Sequence, residues 1–303
     1  MTLQSAAQAR VSVATATVWD SPEVVREADE PAVRTPVDIR AWVDGLGQPD
    51  RTGDRARVLT QLLLGERVVV DEVADGWARV VGVEQASERD PRGYPGWLHT
   101  SHITTATPGE GTALVVDATA TALRDAPFGD IQLYGVTIGT RLIGTGVSYR
   151  GWSEVLIAGF SESSWVRSAD VVAATEAGAD HAHAEDALQI AERLLDVPYV
   201  WGGMSPYGLD CSALVQLAYR RNGIALPRDA ADQAGATKEI SLDEAGPGDL
   251  YFFAHPGKKI HHVGIVAGDR RMVHASQDAG RVVLEPLEGE RSETLVAARR
   301  VLP

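Results

Sequence analysis

The fold is decided by residues 199–233, which read YVWGGMSPYGLDCSALVQLAYRRNGIALPRDAADQ. This stretch contains Cys211, the only cysteine of the 303-residue chain. Asp210 is a favoured N-cap type, apolar residues follow at helical spacing, and Asn222 with Gly223 is typical of a helix end. The pattern predicts a helix that begins at Cys211, where backbone N–H groups and the helix dipole favour a thiolate. The alternative is that Cys211 is a small buried residue of the core, as most lone cysteines are. This stretch alone leaves both roles open, nucleophile and core residue.

Two short β-type runs near the C-terminus each contain a histidine. One run reads HVGIV from His262, the other MVHA includes His274, and a Gly-Asp hairpin signal at Gly268 separates them. A turn centred near Gly268 would place the two histidines across from one another on neighbouring strands. Because a cysteine nucleophile needs a base and a group that orients the base, one histidine could serve in each role.

Five motifs occur in a fixed order along the last part of the chain: DCSALVQ, LPRD, PGDLYFF, HHVGIVAG and MVHAS. Together they make residues 180–303 resemble the NlpC-type cell-wall cysteine peptidases, which have a papain-like fold. The resemblance implies that Cys211 is the nucleophile, His262 the base and His274 the third member of the catalytic set.

The N-terminal half contains a repeated pattern. Residues 11–22 and 115–127 share an Ala-Thr-Ala-Thr frame followed by Asp-x-Pro, and short strands with glycine turns and two tryptophans follow each copy. This pattern is typical of a small β-barrel used twice and resembles bacterial SH3-like domains. The predicted fold class is α+β, a papain-like cysteine peptidase domain preceded by two small SH3-like β-barrels. The predicted domains are a first barrel with insertions at 8–106, a second barrel at 111–173 and the peptidase domain at 178–303.

The first copy is longer than the second, mainly through residues 23–58 and a polar segment from Gln85 to Tyr94. Additions to a minimal barrel lie on its surface, where loops carry function. They could equally pack against a neighbouring domain, and the sequence leaves both possibilities open.

Composition excludes several classes of partner. A net charge of −14 argues against nucleic acid and against an electrostatic grip on anionic lipid headgroups. The N-terminus lacks the pattern of a signal peptide, and no apolar run reaches the ~18 residues of a spanning helix, so a cytoplasmic protein without a membrane partner is expected. No phosphate-binding glycine loop is present, and the pair His181 and His183 lacks further ligands, so neither a cofactor nor a metal site is predicted.

The resemblance also implies a substrate. Family members cut peptidoglycan stem peptides after D-glutamate, at its γ-linked bond to a diamino acid. Two SH3-like barrels before the peptidase domain look like the recycling members, which prefer free peptides with an N-terminal L-alanine. In those members an acidic residue and a tyrosine of the first barrel, with the aspartate of the Pro-Arg-Asp motif, bind the ammonium group. By motif position these residues are Glu66, Tyr94 and Asp229.

Three further residues are expected at the site. Asp210 and Ser212 flank the nucleophile and would contact the peptide. The backbone N–H of Cys211 is a natural oxyanion donor at a helix start, and Tyr199 is a candidate second donor or, equally, a packing residue.

Other functions remain open at this stage. They are an exported endopeptidase acting on intact peptidoglycan, a non-catalytic wall-binding protein, and an acyltransferase that uses the same thiol. The oligomeric state, and diaminopimelate or lysine as the third residue of the peptide, are not fixed by the sequence.

Overall fold

A computed structural model describes residues 7–53, 57–174 and 184–301. The chain forms two β-rich units followed by a mixed unit. We call them the first β unit (Gln8–Thr104), the second β unit (Thr112–Ala173) and the C-terminal unit (Ala184–Arg300). The pair His181 and His183 lies outside the described residues. Within the described ranges, no helix has the length and apolarity needed to cross a bilayer.

The first β unit is an antiparallel sheet. Its strands are β1 (Gln8–Val11), β2 (Thr15–Trp19), β3 (Val58–Leu63), β4 (Arg67–Ala74), β5 (Trp77–Gly82), β6 (Tyr94–His99) and β7 (Ile103–Thr104). They pair in the order β3-β2-β6-β5-β4-β1-β7. Alternate side chains of β4 and β6 are buried, so valines and leucines of several strands form one apolar core.

The second β unit repeats this plan. Its strands are β8 (Thr112–Val116), β9 (Ala120–Arg124), β10 (Ile131–Thr137), β11 (Arg141–Tyr149), β12 (Trp152–Leu156), β13 (Ser164–Arg167) and β14 (Val171–Ala173). Their order, β10-β9-β13-β12-β11-β8-β14, is that of the first β unit with each strand replaced by its counterpart. The repeat seen in the sequence is therefore also a repeat of strand topology.

The insertion at residues 23–58 packs between the first β unit and the C-terminal unit. It contains the helices α1 (Ile39–Gly45) and α2 (Gln48–Arg51), and Asp38 caps α1 by accepting a hydrogen bond from the Ala41 N–H at 2.9 Å. Trp42 of α1 shares an apolar cluster with Trp19 of the first β unit and Val200 of the C-terminal unit. Of the two possibilities that the sequence left open, this insertion packs against a neighbouring unit.

A buried carboxylate holds the insertion to the first β unit. Asp29 is fully buried and accepts hydrogen bonds from the guanidinium groups of Arg26 and Arg57 and, at 3.0 Å, from Trp42 Nε1. Burial alone would raise the pKa of Asp29, but these donors outweigh burial and lower it to about 2. The ionised carboxylate of Asp29 thus stabilises the insertion that contains α1.

The C-terminal unit packs helices on one antiparallel sheet. Its helices are α3 (Ala184–Glu192), α4 (Cys211–Arg221), α5 (Ala230–Gly235) and α6 (Gly289–Thr294). Its strands are β15 (Met204–Ser205), β16 (Gly208–Leu209), β17 (Lys238–Ile240), β18 (Leu250–Phe253), β19 (His262–Gly268), β20 (Arg271–Ser276), β21 (Arg281–Pro286) and β22 (Leu295–Arg300). The six-stranded sheet has the order β17-β22-β18-β19-β20-β21, and α4 lies against β19 and β20. This packing brings the start of α4 to the strands that carry the histidines.

Short 3₁₀ helices connect several of these elements: Pro22–Val24, Glu27–Ala32, Thr100–His102, Ser168–Asp170 and Leu242–Glu244.

Candidate active site

Cys211 is the first residue of α4, as predicted. Asp210 is the N-cap, and its Oδ1 accepts a hydrogen bond from the Ala213 N–H at 2.8 Å. The helix ends at Asn222, and Gly223 follows with a φ of 82°. The cap and the turn therefore fix the cysteine at the helix N-terminus.

The resting thiol differs from the prediction. Burial and the neighbouring Asp210 carboxylate raise the pKa of Cys211 to about 12, against the lowering effects of the Val263 and Ser212 backbone and of Arg228. Burial therefore favours the neutral thiol at rest and opposes the effect of the helix N-terminus. A neutral thiol has to lose its proton while it attacks, which makes a nearby base necessary.

The two histidines lie on a hairpin formed by β19 and β20. The turn has left-handed backbone at Gly268, Asp269 and Arg270, as the sequence predicted for this position. Nε2 of His262 lies 2.7 Å from Nδ1 of His274, and both rings are buried. Burial, and then the neighbouring ring of His274, hold the pKa of His262 well below its usual range. His262 is therefore a neutral imidazole that can accept a proton.

A glycine makes room for the two rings to meet. A side chain at Gly264 would place its Cβ 2.6 Å from Met272 Sδ and 3.1 Å from His274 Cβ. Ordinary carbon–sulfur and carbon–carbon contacts are about 3.5–4.0 Å, so an added methyl group would displace the end of the Met272 side chain and press on His274. The glycine of the HHVGIVAG motif thus keeps His274 within hydrogen-bond distance of His262.

Arg228 was missed by the sequence analysis. It is 1% exposed, and its guanidinium donates to both oxygens of Asp210, at 3.0 and 2.7 Å, and to Ser212 Oγ at 2.9 Å. It also donates to Thr60 Oγ1 of the first β unit at 2.8 Å, while its backbone N–H bonds to the Ala86 carbonyl. One buried cation therefore ties the loop before the nucleophile to the first β unit.

A cavity of about 710 Å³ opens above Cys211. Tyr199, Asp210, Ser212, Asp229 and His262 line it from the C-terminal unit. The first β unit contributes Leu59, Glu88, Arg89 and Tyr94, most of them from the insertion between Gln85 and Tyr94. The first β unit therefore forms one wall of the cavity that contains the nucleophile.

Tyr94 and Asp229 meet across the two units. The Tyr94 hydroxyl donates to the Asp229 carboxylate, with O–O distances of 3.2 and 3.3 Å. Arg89 lies 3.5 Å from the same carboxylate, and its guanidinium is 5.2 Å from the centre of the Tyr94 ring. Burial raises the pKa of Asp229, and a cation bound beside the carboxylate would lower it again. This end of the cavity thus places a carboxylate beside a tyrosine hydroxyl and an arginine.

Comparison with known proteins assigns the family. A sequence model of the NlpC/P60 family matches residues 196–300. The chain is 33% identical to the gamma-D-glutamyl-L-lysine dipeptidyl-peptidase of Bacillus subtilis, over 95% of this chain and 96% of that protein. The chain belongs to the NlpC/P60 family. It is a cysteine peptidase with a papain-like C-terminal unit, as the five motifs predicted, and a β-rich N-terminal region, as the repeated pattern predicted.

Two further relatives show how much of the chain is shared. A solved structure of an NlpC/P60 family protein from Bacillus cereus covers 98% of this chain and all of that chain, with 27% identity and a TM-score of 0.89. The bifunctional muramidase/DL-endopeptidase CwlT of B. subtilis is 47% identical, but over only 34% of this chain and 32% of that protein. The arrangement of all three units is therefore shared with the B. cereus protein, while likeness to CwlT is confined to about a third of the chain.

The structure corrects the role expected for Glu66. Its buried carboxylate forms an ion pair with Arg220, whose Nε donates to the Gly139 carbonyl at 3.1 Å, and Glu66 does not line the cavity. Arg220 is nine residues beyond Cys211, about 14 Å along α4 at a rise of about 1.5 Å per residue. The turn after β3 directs Glu66 toward the far end of this helix, so it joins the three units instead of meeting substrate.

The remaining predicted residues lie at the cavity of this NlpC/P60 peptidase. Asp210 and Ser212 line it and both accept hydrogen bonds from Arg228, so they hold the nucleophile loop in place, and their contact with the peptide stays a prediction. Tyr199 is 3% exposed, and burial, followed by Cys211, raises its pKa. Its hydroxyl remains a protonated donor, and its role at an oxyanion stays a prediction.

A glutamate behind the histidines was also missed. Glu285 Oε1 on β21 lies 2.7 Å from His274 Nε2, an ion-pair distance, although the two atoms do not meet the geometry of a hydrogen bond. Arg291 of α6 lies 3.5 Å from Glu285 and 3.1 Å from Asp278. The available signal was the hairpin turn at Gly280, which returns β21 alongside β20.

Proposed function

We propose that this protein hydrolyses the γ-D-glutamyl–diamino acid bond of free peptidoglycan-derived peptides that begin with L-alanine. The observation that carries the proposal is the cavity that Cys211 shares with Tyr94 and Asp229, which meet where the first β unit closes one end. Two relatives that match nearly the whole chain, from B. subtilis and B. cereus, are named gamma-D-glutamyl-L-lysine dipeptidyl-peptidases, which supports this bond and a dipeptide product.

The reaction follows from the protonation states of the site. His262 takes the thiol proton as Cys211 Sγ attacks the γ-carbonyl, and the carbonyl oxygen gains the electron pair. The backbone N–H of Cys211 at the helix start, together with the Tyr199 hydroxyl, would stabilise that oxygen. The C–N bond then breaks, the leaving amine takes the proton from His262, and water hydrolyses the thioester.

The charged end of the cavity fits the free amine of L-alanine. In the unliganded protein Arg89 lies beside Asp229, but Arg89 is about half exposed. An exposed ion pair contributes at most about 1 kcal/mol, so an α-ammonium group can displace the guanidinium at small cost. Glu88, which lines the cavity, replaces Glu66 as the acidic candidate from the first β unit.

An acylated peptide would meet the same carboxylate without a charge. In an intact wall strand the L-alanine nitrogen is an amide, so Asp229 would be covered by substrate while losing its cationic partner. Leaving a buried charge or acceptor unpaired is costly, and sites of this kind reject analogues that lack the matching group. The proposal therefore favours liberated peptides over intact peptidoglycan.

A charged part of the cavity lining, contributed by the C-terminal unit, suits the leaving diamino acid. It carries both signs of charge, with Lys259 and Arg291 beside Asp278 and Glu290. A diamino acid offers amines and at least one carboxylate, so both kinds of partner are useful there. An acyltransferase would need a dry apolar groove, which this charged lining does not provide.

Two further parts of the proposal follow from the sequence. We propose that both β units are SH3-like barrels. We also propose that the first β unit forms one side of the active-site cavity instead of binding peptidoglycan. A cytoplasmic location fits the use of liberated peptides, and cell fractionation tests it.

Product analysis tests the proposed function. Tripeptides L-Ala-γ-D-Glu-diaminopimelate and L-Ala-γ-D-Glu-L-Lys are incubated with wild type and Cys211→Ala, alongside purified sacculi. We expect the dipeptide L-Ala-γ-D-Glu and a free diamino acid from the tripeptides, with no product from the variant. Efficient cleavage of sacculi with little cleavage of tripeptides would contradict the proposal and indicate a wall endopeptidase.

A further inference from the structure

Behind the two histidines a chain of contacts runs outward from the active site. His262 Nε2 is 2.7 Å from His274 Nδ1, and His274 Nε2 is 2.7 Å from Glu285 Oε1. The chain thus links three neighbouring strands, β19, β20 and β21.

The two neutral imidazoles share one hydrogen bond between a nitrogen of each ring, and this pair has two possible proton arrangements. In the first, His262 carries its proton on Nε2 and donates it to bare Nδ1 of His274. In the second, His274 carries its proton on Nδ1 and donates it to bare Nε2 of His262. Only the first arrangement leaves Nδ1 of His262 without a proton, and Nδ1 is the nitrogen that His274 does not occupy.

We propose that Glu285 is a positioning residue that selects the first arrangement. An ionised carboxylate 2.7 Å from His274 Nε2 favours a proton on that nitrogen, because a bare nitrogen would face the carboxylate with two lone pairs opposed. His274 then accepts at Nδ1, His262 donates from Nε2, and Nδ1 of His262 is the free base for the thiol of Cys211. The proposal rests on cysteine hydrolysis by Cys211, and it is independent of which peptide is cut.

The surroundings of Glu285 keep it ionised. The contact with His274 lowers the pKa of Glu285 despite partial burial, and Arg291 of α6 adds a positive charge 3.5 Å away. Arg291 is itself held by Asp278, at 3.1 Å, in the turn between β20 and β21. The groups that face His274 are therefore His262, Glu285, Arg291 and Asp278, and Glu285 is the one that lies against Nε2.

The same carboxylate acts again during the reaction. When His262 Nδ1 takes the thiol proton, the ring becomes a cation whose Nε2–H points at His274. A polarised His274 between that cation and the Glu285 carboxylate stabilises the charge without moving a further proton. The leaving amine then removes the proton from Nδ1, and the original arrangement returns.

The test compares Glu285→Gln with Glu239→Gln, which changes a carboxylate of β17 that is 74% exposed and lies 3.2 Å from Arg299. A glutamine at position 285 can turn its amide to donate to His274 Nε2. The variant therefore loses the preference for a proton on that nitrogen as well as the negative charge. We expect kcat for tripeptide cleavage to fall about 10- to 100-fold in Glu285→Gln with KM within twofold. The acid limb of kcat/KM should move to lower pH, since burial lowers the pKa of His274 and the removed carboxylate had opposed that lowering in the ring that contacts His262. Glu239→Gln should keep the wild-type kcat and acid limb.

Two measurements keep the test independent of substrate and of variant folding. Alkylation of Cys211 by iodoacetamide should slow about tenfold in Glu285→Gln, in proportion to the lost base. In wild type, ¹⁵N NMR of the imidazoles should show protonated Nε2 in both His262 and His274. The proposal would be overturned if His274 is protonated at Nδ1. It would also be overturned if Glu285→Gln is folded and its Cys211 is alkylated at the wild-type rate. If wild type cleaves neither tripeptide, the proposed function fails, while alkylation and NMR still decide the role of Glu285.

Discussion

The substitution Arg228→Met tests the link between the nucleophile loop and the first β unit. The guanidinium is 1% exposed and donates to Asp210, Ser212 and Thr60. Removing one partner of a buried ion pair costs about 3–5 kcal/mol. Asp210 keeps its bonds to the backbone N–H groups of Ala213 and Gly202, so we expect the lower end, a loss of about 3 kcal/mol in the free energy of unfolding.

Urea unfolding followed by tryptophan fluorescence measures this loss. The matched control is Arg40→Met, because Arg40 is 75% exposed and lies 4.0 Å from Asp44, so its loss should cost no more than about 0.5 kcal/mol. Combining Arg228→Met with Asp210→Asn should cost at least about 2 kcal/mol less than the sum of the single changes, since the charge that Arg228 compensates is gone. A loss below about 1 kcal/mol in Arg228→Met, with no coupling to Asp210, would refute this reasoning.

Three other predictions concern residues away from this cluster. Because the pKa of Asp29 is lowered to about 2, its stabilising effect is present above about pH 4 and is lost as the pH falls toward 2. Between pH 5 and pH 2 the free energy of unfolding should therefore fall about 2 kcal/mol more in wild type than in Asp29→Asn, and equal losses would contradict the account. Glu66→Gln should lower the free energy of unfolding by about 2 kcal/mol while kcat/KM stays within twofold, and a large loss of kcat/KM would restore Glu66 to the substrate site. Gly264→Ala should reduce kcat at least about tenfold by separating His274 from His262. The control Gly246→Ala should not reduce kcat, because there is open space around its Cβ position. Equal activities of the two variants would show that the close approach of His274 to His262 is dispensable.

Local sequence was sufficient for the catalytic elements. The start of α4 depends on Asp210 and the glycine-rich loop, and the hairpin depends on a two-residue turn, so both could be predicted from neighbouring residues. The repeated β units were recognisable for the same reason, because each copy carries its own strands and turns. These features are encoded within short stretches of chain.

The remaining features depend on packing between distant segments. Glu66 meets Arg220, a residue 154 positions away, and nothing near either residue predicts the pair. Arg228 looked like part of a motif, yet its role comes from Thr60 of another unit. Glu285 lies on a strand that alternates like any other, so its position behind His274 is decided by the register of β20 and β21.

We expect the cavity wall formed by Tyr94 and Asp229 to select peptides with a free amine. The most direct measurement compares kcat/KM for L-Ala-γ-D-Glu-diaminopimelate with that for its N-acetylated form, in wild type and in Asp229→Asn. An unpaired carboxylate at a partly exposed site should cost about 2 kcal/mol, so we expect wild type to prefer the free amine at least about 30-fold. In Asp229→Asn the preference should shrink to a few-fold, through slower cleavage of the free peptide and faster cleavage of the acetylated peptide. Equal cleavage of both peptides by wild type would leave a cysteine peptidase without the proposed selectivity and would contradict the account.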